Sequence, residues 1–243
     1  MVFMTKAKTL QFSDLILFQN EDYILINKPP FISTLEDRVE PVNILSLARA
    51  VEPDPQVCHR LDKDTSGVLA IARHPEAYRH LSLQFEHREV SKAYHAVADG
   101  RHDFKDFLVD ASIIKLNDGS ARLNTKGKDA QTLFSTLTIF TRHTLIECRP
   151  VTGRMHQIRV HLASLGAPIT GDDLYGGNPF FISSVKRGFR VKKDTEELPL
   201  TKRMALHAFS LEFSGLDGLP IKVQAPYPKD FTALLKQLSA NVR

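Results

Sequence analysis

Residues 59–73 read HRLDKDTSGVLAIAR, a polar turn that runs directly into an apolar segment. The apolar part, residues 67–72, has the length and composition of a buried strand. Asp64, Thr65 and Ser66 are typical of a turn in which short polar side chains bond to their own backbone. Asp62 fits that turn poorly, because Leu61 beside it indicates that the chain is already entering the core. The stretch therefore predicts that Asp62 is a functional carboxylate positioned by a core strand.

The segments on both sides predict a fold in which strands outnumber helices. Residues 23–27 are expected to form a buried strand closed by the prolines at 29 and 30, since proline cannot continue a ladder. Further strands are predicted at 92–98, 133–140, 144–149, 205–213 and 220–225, and hairpins within 101–130. Helices are predicted at 43–50, from Pro75, at 155–165 before Gly166, and from Pro228. Strands and helices do not alternate regularly, so the fold class is α+β, with a mixed, mostly antiparallel sheet flanked by helices and loops.

Length and composition place the chain among ordinary globular proteins. It has 243 residues, 42% hydrophobic and 25% charged, and two distant cysteines. We expect a short N-terminal tail over residues 1–14 and one domain over 15–243, with a monomer as the default. The first twenty residues lack the apolar stretch of a secretory signal, and no membrane span is expected. The cysteine usage suits the reducing cytoplasm.

The net charge and the missing motifs narrow the chemistry. A charge of +4 and a pI near 9.0 favour a polyanionic partner such as RNA, although this balance is weak evidence alone. The sequence contains no glycine-rich phosphate loop, dinucleotide fingerprint or paired-cysteine metal motif. His156 and His161 are five residues apart, which directs them to different sides of a helix. We therefore expect neither a cofactor nor a metal.

Two further segments offer functional side chains. In a strand, Tyr94 shares a face with Lys92 and Ala96, which would leave its ring free; the alternative is an ordinary core or surface tyrosine. Residues 153–161 concentrate hydrogen-bond donors, among them Arg154, His156 and Arg159. The alternative for that segment is a solvated helix face, with its apolar residues on the buried side.

The chain resembles RluA-type RNA pseudouridine synthases from about residue 17 to residue 239. The resemblance rests first on HRLDKDTSGVLAIAR (59–73), which is similar to the family's segment around its catalytic aspartate. Four further segments match in order and spacing: LFQNEDYILINKPP (17–30), KAYHAVADG (92–100), TGRMHQIRVHLASLGAPITGDDLYGG (152–177) and RMALHAFSLEFSG (203–215). Met155 and Ala167 depart from the family's usual residues. The larger members carry an N-terminal RNA-binding domain, which is not expected here.

The resemblance implies a role for each of four residues. Asp62 would be the nucleophile or essential carboxylate, and Tyr94 would stack against the target base. Arg159 would be the cation paired with Asp62, which suits an arginine because its planar guanidinium can bind a carboxylate through two hydrogen bonds. Arg60 would fill the gap left by the extruded nucleotide. Arg154 and His156 are further candidates for RNA contact.

The implied reaction isomerises a uridine in ribosomal or transfer RNA, most reasonably in a stem-loop. The bond from uracil N1 to C1′ breaks, the base turns, and C5 bonds to C1′. Whether Asp62 attacks C1′, attacks C6 or takes a proton from the sugar is left open by the sequence. The target base must leave its stack, which costs a few kcal/mol.

Two other functions compete with this interpretation. In an extended chain, Asp62 and Asp64 would lie roughly 7 Å apart on one face, and carboxyl groups roughly 6.5–9.5 Å apart suit a hydrolytic N-glycosidase that inverts configuration. The second alternative is an RNA-binding protein or chaperone that does not require Asp62.

The stretch 176–203 carries seven lysines or arginines and three acids. It follows the proposed active-site segment directly, so we expect RNA contact through Lys192 and Lys193 rather than a merely solvated loop. Charge reversal at these two lysines should weaken RNA binding and lower its salt dependence.

Overall fold

Ten strands form one sheet in residues 10–36, 42–186, 188–191 and 195–241, the part of the chain that a computed structural model describes. The strands are β1 (Ile16–Gln19), β2 (Tyr23–Lys28), β3 (Gln56–Val57), β4 (Ser66–Ala72), β5 (Ser91–Asp99), β6 (Phe107–Asp110), β7 (Ile113–Lys115), β8 (Ala121–Leu123), β9 (Gln131–Ile139), β10 (His143–Pro150), β11 (Leu206–Ser214) and β12 (Pro220–Gln224), of which β7 and β8 form a separate hairpin. The helices are α1 (Ile44–Arg49), α2 (Pro75–His87), α3 (Gln157–Ser164) and α4 (Lys229–Ala240). None of these helices combines the length and the apolar character that crossing a bilayer requires.

The sheet is mixed and mostly antiparallel, which confirms the predicted fold class. Its main path runs β1-β2-β4-β11-β5-β10-β9-β6, with β3 beside β4 and β12 beside β11. The pair β4–β11 is parallel, whereas the other pairs among the described strands are antiparallel. Strands distant in sequence therefore meet at the centre of the sheet.

Helices cover the sheet through apolar residues at helical spacing. In α4, Phe231, Leu234 and Leu238 are buried against the cluster formed by β5, β9, β10 and α3. Helix α2 buries Ala77 and Leu81 against β2, β4 and β11. Burial of these side chains removes apolar surface from water, which is the main driving force for the fold.

Three expectations from the sequence need correction. The alternative of a solvated face on α3 is wrong, because residues 157–162 are all buried. Phe12, assigned to the N-terminal tail, begins a short 3-10 helix and is 3% exposed within the core cluster around β2 and α1. Pro228 lies at the N-cap of α4 rather than inside it.

Gly67 allows β4 and β11 to approach each other closely. Its φ is +117°, and a Cβ at this position would lie 2.1 Å from the carbonyl oxygen of Ala208. Ala208 is also the register partner of Tyr94 on β5. The loop that precedes Gly67 is therefore brought beside Tyr94 across a single intervening strand.

Two buried histidines make the fold sensitive to acid. His207 is neutral and fully bonded, since its Nε2–H donates to the carbonyl of Ala225 at 3.1 Å and its Nδ1 accepts from Ser66 Oγ at 2.9 Å. Burial lowers the pKa of His95 and that of His207 from 6.5 to about 4. Between pH 6.5 and pH 4 these histidines bind protons in the unfolded chain but not in the folded chain. Their contribution to the free energy of unfolding is therefore fully present above pH 6.5 and is lost as the pH falls toward 4.

We expect the free energy of unfolding to drop by about 2 kcal/mol for each of these histidines between pH 7 and pH 5. Urea unfolding at the two pH values measures the drop. His207→Asn should be less stable at pH 7 but lose less stability on acidification. Equal pH dependence in wild type and variant would contradict this account.

Candidate active site

A pocket of about 790 Å³ opens where the loop before β4 meets β5 and the start of α3. This volume is within the range of roughly 300–1,000 Å³ that is usual for ligand sites. Cations outnumber acids in its lining: Arg60, Arg88, Lys92, Lys115, Arg154 and Arg159 against Asp62 and Glu86. A lining of this charge attracts an anionic ligand into the pocket.

Asp62 lies in this pocket with a side chain that is 31% exposed. Its Oδ2 is 3.8 Å from Arg159 Nη1 and 3.9 Å from His156 Nε2. The carboxylate is therefore close to a permanent cation and still open to a ligand. Such an arrangement leaves the carboxylate oxygens available to a ligand beside a fixed positive charge.

The loop that carries Asp62 is held by three side chains that are almost fully buried, Lys28, Thr34 and Arg203. Each bonds to the loop backbone: Thr34 Oγ1 donates to Leu61 O (2.9 Å), Lys28 Nζ to Lys63 O (3.0 Å) and Arg203 Nη1 to Asp64 O (2.9 Å). The Thr65 N–H closes the turn on the carbonyl of Asp62 at 3.0 Å. The position of the Asp62 backbone is thus determined by buried contacts on both sides.

Arg159 contacts Asp62, but its two parallel hydrogen bonds go elsewhere. Nε and Nη2 donate to the carboxylate of Asp172 at 2.6 and 2.7 Å, and both side chains are buried. Burial alone would lower the pKa of Arg159, yet the hydrogen bonds and charge of Asp172 raise it above its ordinary value. The expected two-bond grip on Asp62 is therefore replaced by a rigid pair with Asp172, which directs Nη1 toward Asp62.

His156 faces Asp62 from the N-terminus of α3. Its backbone φ is +55°, a conformation that residues other than glycine adopt at a cost in free energy. Tyr175 OH accepts the N–H of Ala121 at 2.9 Å and lies 2.8 Å from His156 Nδ1. Burial lowers the pKa of His156, which favours the neutral ring. If Nδ1 of this ring accepts the hydrogen bond from Tyr175, the ring proton is on Nε2, the nitrogen that faces Asp62.

Tyr94 contributes its ring to the same pocket. It packs against the core clusters on both sides of β5. Burial, with the nearby charge of Asp62, raises the pKa of Tyr94, so its hydroxyl keeps its proton. The ring is a fixed, uncharged surface beside the carboxylate.

The other predicted RNA-contacting residues have different locations. Arg60 is exposed and lines the pocket, and Arg154 also lines it while its Nε donates to the carbonyl of Asp129 at 2.9 Å. Lys192 and Lys193 lie outside the described residues. The structure thus brings Asp62, Tyr94, Arg159, His156, Arg60 and Arg154 together around one pocket.

Asp172 and Tyr175 were missed by the sequence analysis. The guanidinium of Arg159 contacts both residues: it donates two hydrogen bonds to Asp172, and its Cζ lies 4.7 Å from the centroid of the Tyr175 ring. Both belong to the matched segment 152–177, at the start and end of a short 3-10 turn. The sequence shows an acidic residue followed three positions later by an aromatic one, but it does not show that both contact Arg159, because those contacts depend on the fold.

The structure does not support a paired-acid site at Asp62 and Asp64. Residues 63 and 64 form a turn rather than a strand, and Asp64 is absent from the residues that line the described pocket. The extended arrangement required by the hydrolytic alternative is therefore not formed.

Asp64→Ala is expected to retain pocket chemistry and to alter mainly the turn. Because the Asp64 backbone, not its side chain, is bonded by Arg203, we expect less than a fivefold change in turnover and a stability loss of about 1 kcal/mol. Tritium release from labelled RNA and urea unfolding measure the two effects. A folded Asp64→Ala protein without turnover would refute the turn interpretation.

Comparison with protein families gives one match, over residues 22–164, to a family described as RNA pseudouridylate synthase. Among curated proteins, an uncharacterized RNA pseudouridine synthase of Zymomonas mobilis is 36% identical, over 90% of this chain and 96% of the relative. Ribosomal large subunit pseudouridine synthase D of Xylella fastidiosa is 37% identical, over 92% and 69% of the two chains. The corresponding enzyme C of Vibrio vulnificus is 30% identical, over 95% and 71%.

Among solved structures, human RNA pseudouridylate synthase domain containing 4 superposes with a TM-score of 0.71 at 24% identity, over 94% of both chains. At this identity the superposition supports the fold. The sequence matches and the fold therefore agree.

Proposed function

The chain belongs to the RNA pseudouridylate synthase family, isomerases that convert uridine to pseudouridine in RNA, and we propose that Asp62 performs this reaction on a flipped uridine of large-subunit ribosomal RNA. The observation that supports the proposal best is the position of Asp62. It is a partly exposed carboxylate 3.8 Å from the guanidinium of Arg159, in a basic pocket that Tyr94 also lines.

The chemistry of isomerisation matches what these side chains can supply. The bond from N1 to C1′ breaks, C5 bonds to the same sugar carbon and loses its hydrogen as a proton, and N1 takes up a proton. Atoms and electrons balance within the nucleotide. Attack at C1′, attack at C6 and removal of a sugar proton all require an ionised carboxylate at the target, and a covalent route divides the barrier into two smaller ones.

Arg159 places a positive charge beside this carboxylate without a hydrogen bond to it. The two hydrogen bonds of its Nε and Nη2 go to Asp172, and only Nη1 approaches Asp62. Asp62 Oδ2 is left 3.8 Å from the remaining nitrogen, which provides charge stabilisation while leaving the oxygen free to react.

Base flipping explains the remaining pocket residues. Stacking on an aromatic ring returns roughly 1–3 kcal/mol per base, which Tyr94 can supply to the extruded uracil. Arg60, exposed at the pocket, is placed to fill the vacated position in the RNA stack. Together these contacts offset the cost of extrusion.

The ribosomal substrate is inferred from relatives. Several are named ribosomal large subunit pseudouridine synthases. A stem-loop is the form in which a protein of this kind gains access to a single base. The two cysteines are free thiols, in keeping with a reaction in the reducing cytoplasm.

Mapping of pseudouridines in cells with and without the gene tests the substrate. We expect one or a few sites in large-subunit ribosomal RNA to disappear, and to return with the wild-type gene but not with Asp62→Asn. Loss of sites only in transfer RNA would refute the ribosomal assignment. An unchanged map would favour the RNA-binding or chaperone alternative.

A further inference from the structure

Lys92 is a partly buried cation that lines the pocket. Its Nζ lies 5.9 Å from the centroid of the Phe85 ring. In the described ranges of the chain, no carboxylate lies within 4 Å of this nitrogen. Burial lowers the pKa of Lys92 from 10.5 to about 8, so its charged form lacks the solvation or counter-ion it would have elsewhere.

An uncompensated ammonium inside a ligand pocket calls for an anion supplied by the ligand. Lys92 and Tyr94 are two residues apart on β5 and both line the pocket. Their side chains therefore share a face about 7 Å apart. A backbone phosphate beside a base stacked on Tyr94 can reach Lys92.

The rings of His59 and Phe85 lie against each other next to Lys92, and both residues line the pocket. Their ring centroids are 4.8 Å apart with planes tilted by 32°. Burial lowers the pKa of His59 to about 3, and its Nε2 accepts the N–H of Ala70 at 3.0 Å. The ring is therefore neutral with its proton on Nδ1, a donor for which no acceptor occurs among the described residues.

We propose that His59, Phe85 and Lys92 form a subsite for the nucleotide adjacent to the target uridine, with Lys92 binding its phosphate and the two rings contacting its base. This inference rests on the proposed function, since it assumes that the base on Tyr94 is the target. An aromatic surface, a neutral N–H donor and a lone cation are the groups with which proteins bind unpaired nucleotides. The subsite would make activity depend on the neighbouring nucleotide.

Lys92→Met tests the phosphate contact. The probe is the stem-loop RNA that carries the mapped uridine, and binding is measured in an Asp62→Asn background so that no product forms. We expect Kd to rise about fivefold or more and the slope of log Kd against log salt to fall by about 0.7, the value for one phosphate on a single strand. Lys92→Arg should restore the slope.

Lys222→Met is the matched control, because Lys222 is exposed, paired with Glu212 and not among the residues that line the described pocket. It should leave Kd and slope as in the parent. Lys92→Met should unfold at the same or a higher urea concentration, since a buried lone charge is removed. An unchanged slope in Lys92→Met, or an equal loss in Lys222→Met, would overturn the proposal.

An abasic residue beside the target tests the aromatic contact. Placed on the correct side, 5′ or 3′, it should weaken binding by about fivefold or more in the parent and by much less in Phe85→Leu. If an abasic residue on either side weakened binding equally in the parent and in Phe85→Leu, the proposed base contact would be refuted. Pseudouridine formation by wild type on the intact stem-loop is scored separately, so failure of the subsite is distinguishable from failure of the proposed function.

Discussion

Asp62→Asn is expected to reduce tritium release from C5-labelled uridine in RNA by roughly 10⁴-fold or more, the scale at which removal of a reacting group usually acts. The amide has nearly the shape of the carboxylate but can neither attack carbon nor take a proton as an anion. Release reports the reaction directly, because the new bond to C5 expels the hydrogen that the carbon carried.

Asp62→Glu gives a graded control. It keeps the charge but moves the oxygens by more than 1 Å, and displacement of that size costs on the order of 10²-fold. RNA affinity should change by only a few fold in both variants, since Arg60, Arg154 and the other pocket cations remain. Equal release from wild type and Asp62→Asn would overturn the assignment of the site.

The position of Asp62 in a polar loop before a buried strand was predictable, because the evidence for it is local. The polar turn at 59–66 and the apolar run that follows are contiguous, and the structure turns them into a loop and β4 as expected. Most other elements also follow from short patterns, such as Pro75 at the start of α2 and Gly166 with φ +69° after α3. Periodicity and turn chemistry act over a few residues, which is the range that a single sequence displays.

The partners within the site were not predictable in this way. The pairing of Arg159 with Asp172 spans thirteen residues, and the contact of Tyr175 with Ala121 joins the site to the β7–β8 hairpin. Such contacts depend on how the hairpin, α3 and the following turn pack. The burial of all of residues 157–162 has the same origin, because the apolar pattern of α3 alone does not show that both of its sides are covered.

The pairing of Arg159 with Asp172 leads to the second large effect. Arg159→Met should lower tritium release by roughly 10³-fold, since removal of one charge-stabilising donor commonly costs 10²–10³ and Asp62 would lose its nearest permanent cation. It should also cost about 3–5 kcal/mol of stability, because Asp172 is left charged and unpaired in a position that is 3% exposed. Asp172→Leu alone should destabilise the fold to a similar extent, by leaving the guanidinium unpaired.

The double variant Arg159→Met/Asp172→Leu separates folding from catalysis. Replacement of a buried ion pair by apolar residues of similar size is often neutral, so urea unfolding should return to within about 2 kcal/mol of wild type. Tritium release should nevertheless stay at least 10²-fold below wild type, because Asp62 then lacks the permanent cation that lies 3.8 Å from it. A stable double variant with wild-type release would mean that Arg159 serves only the fold.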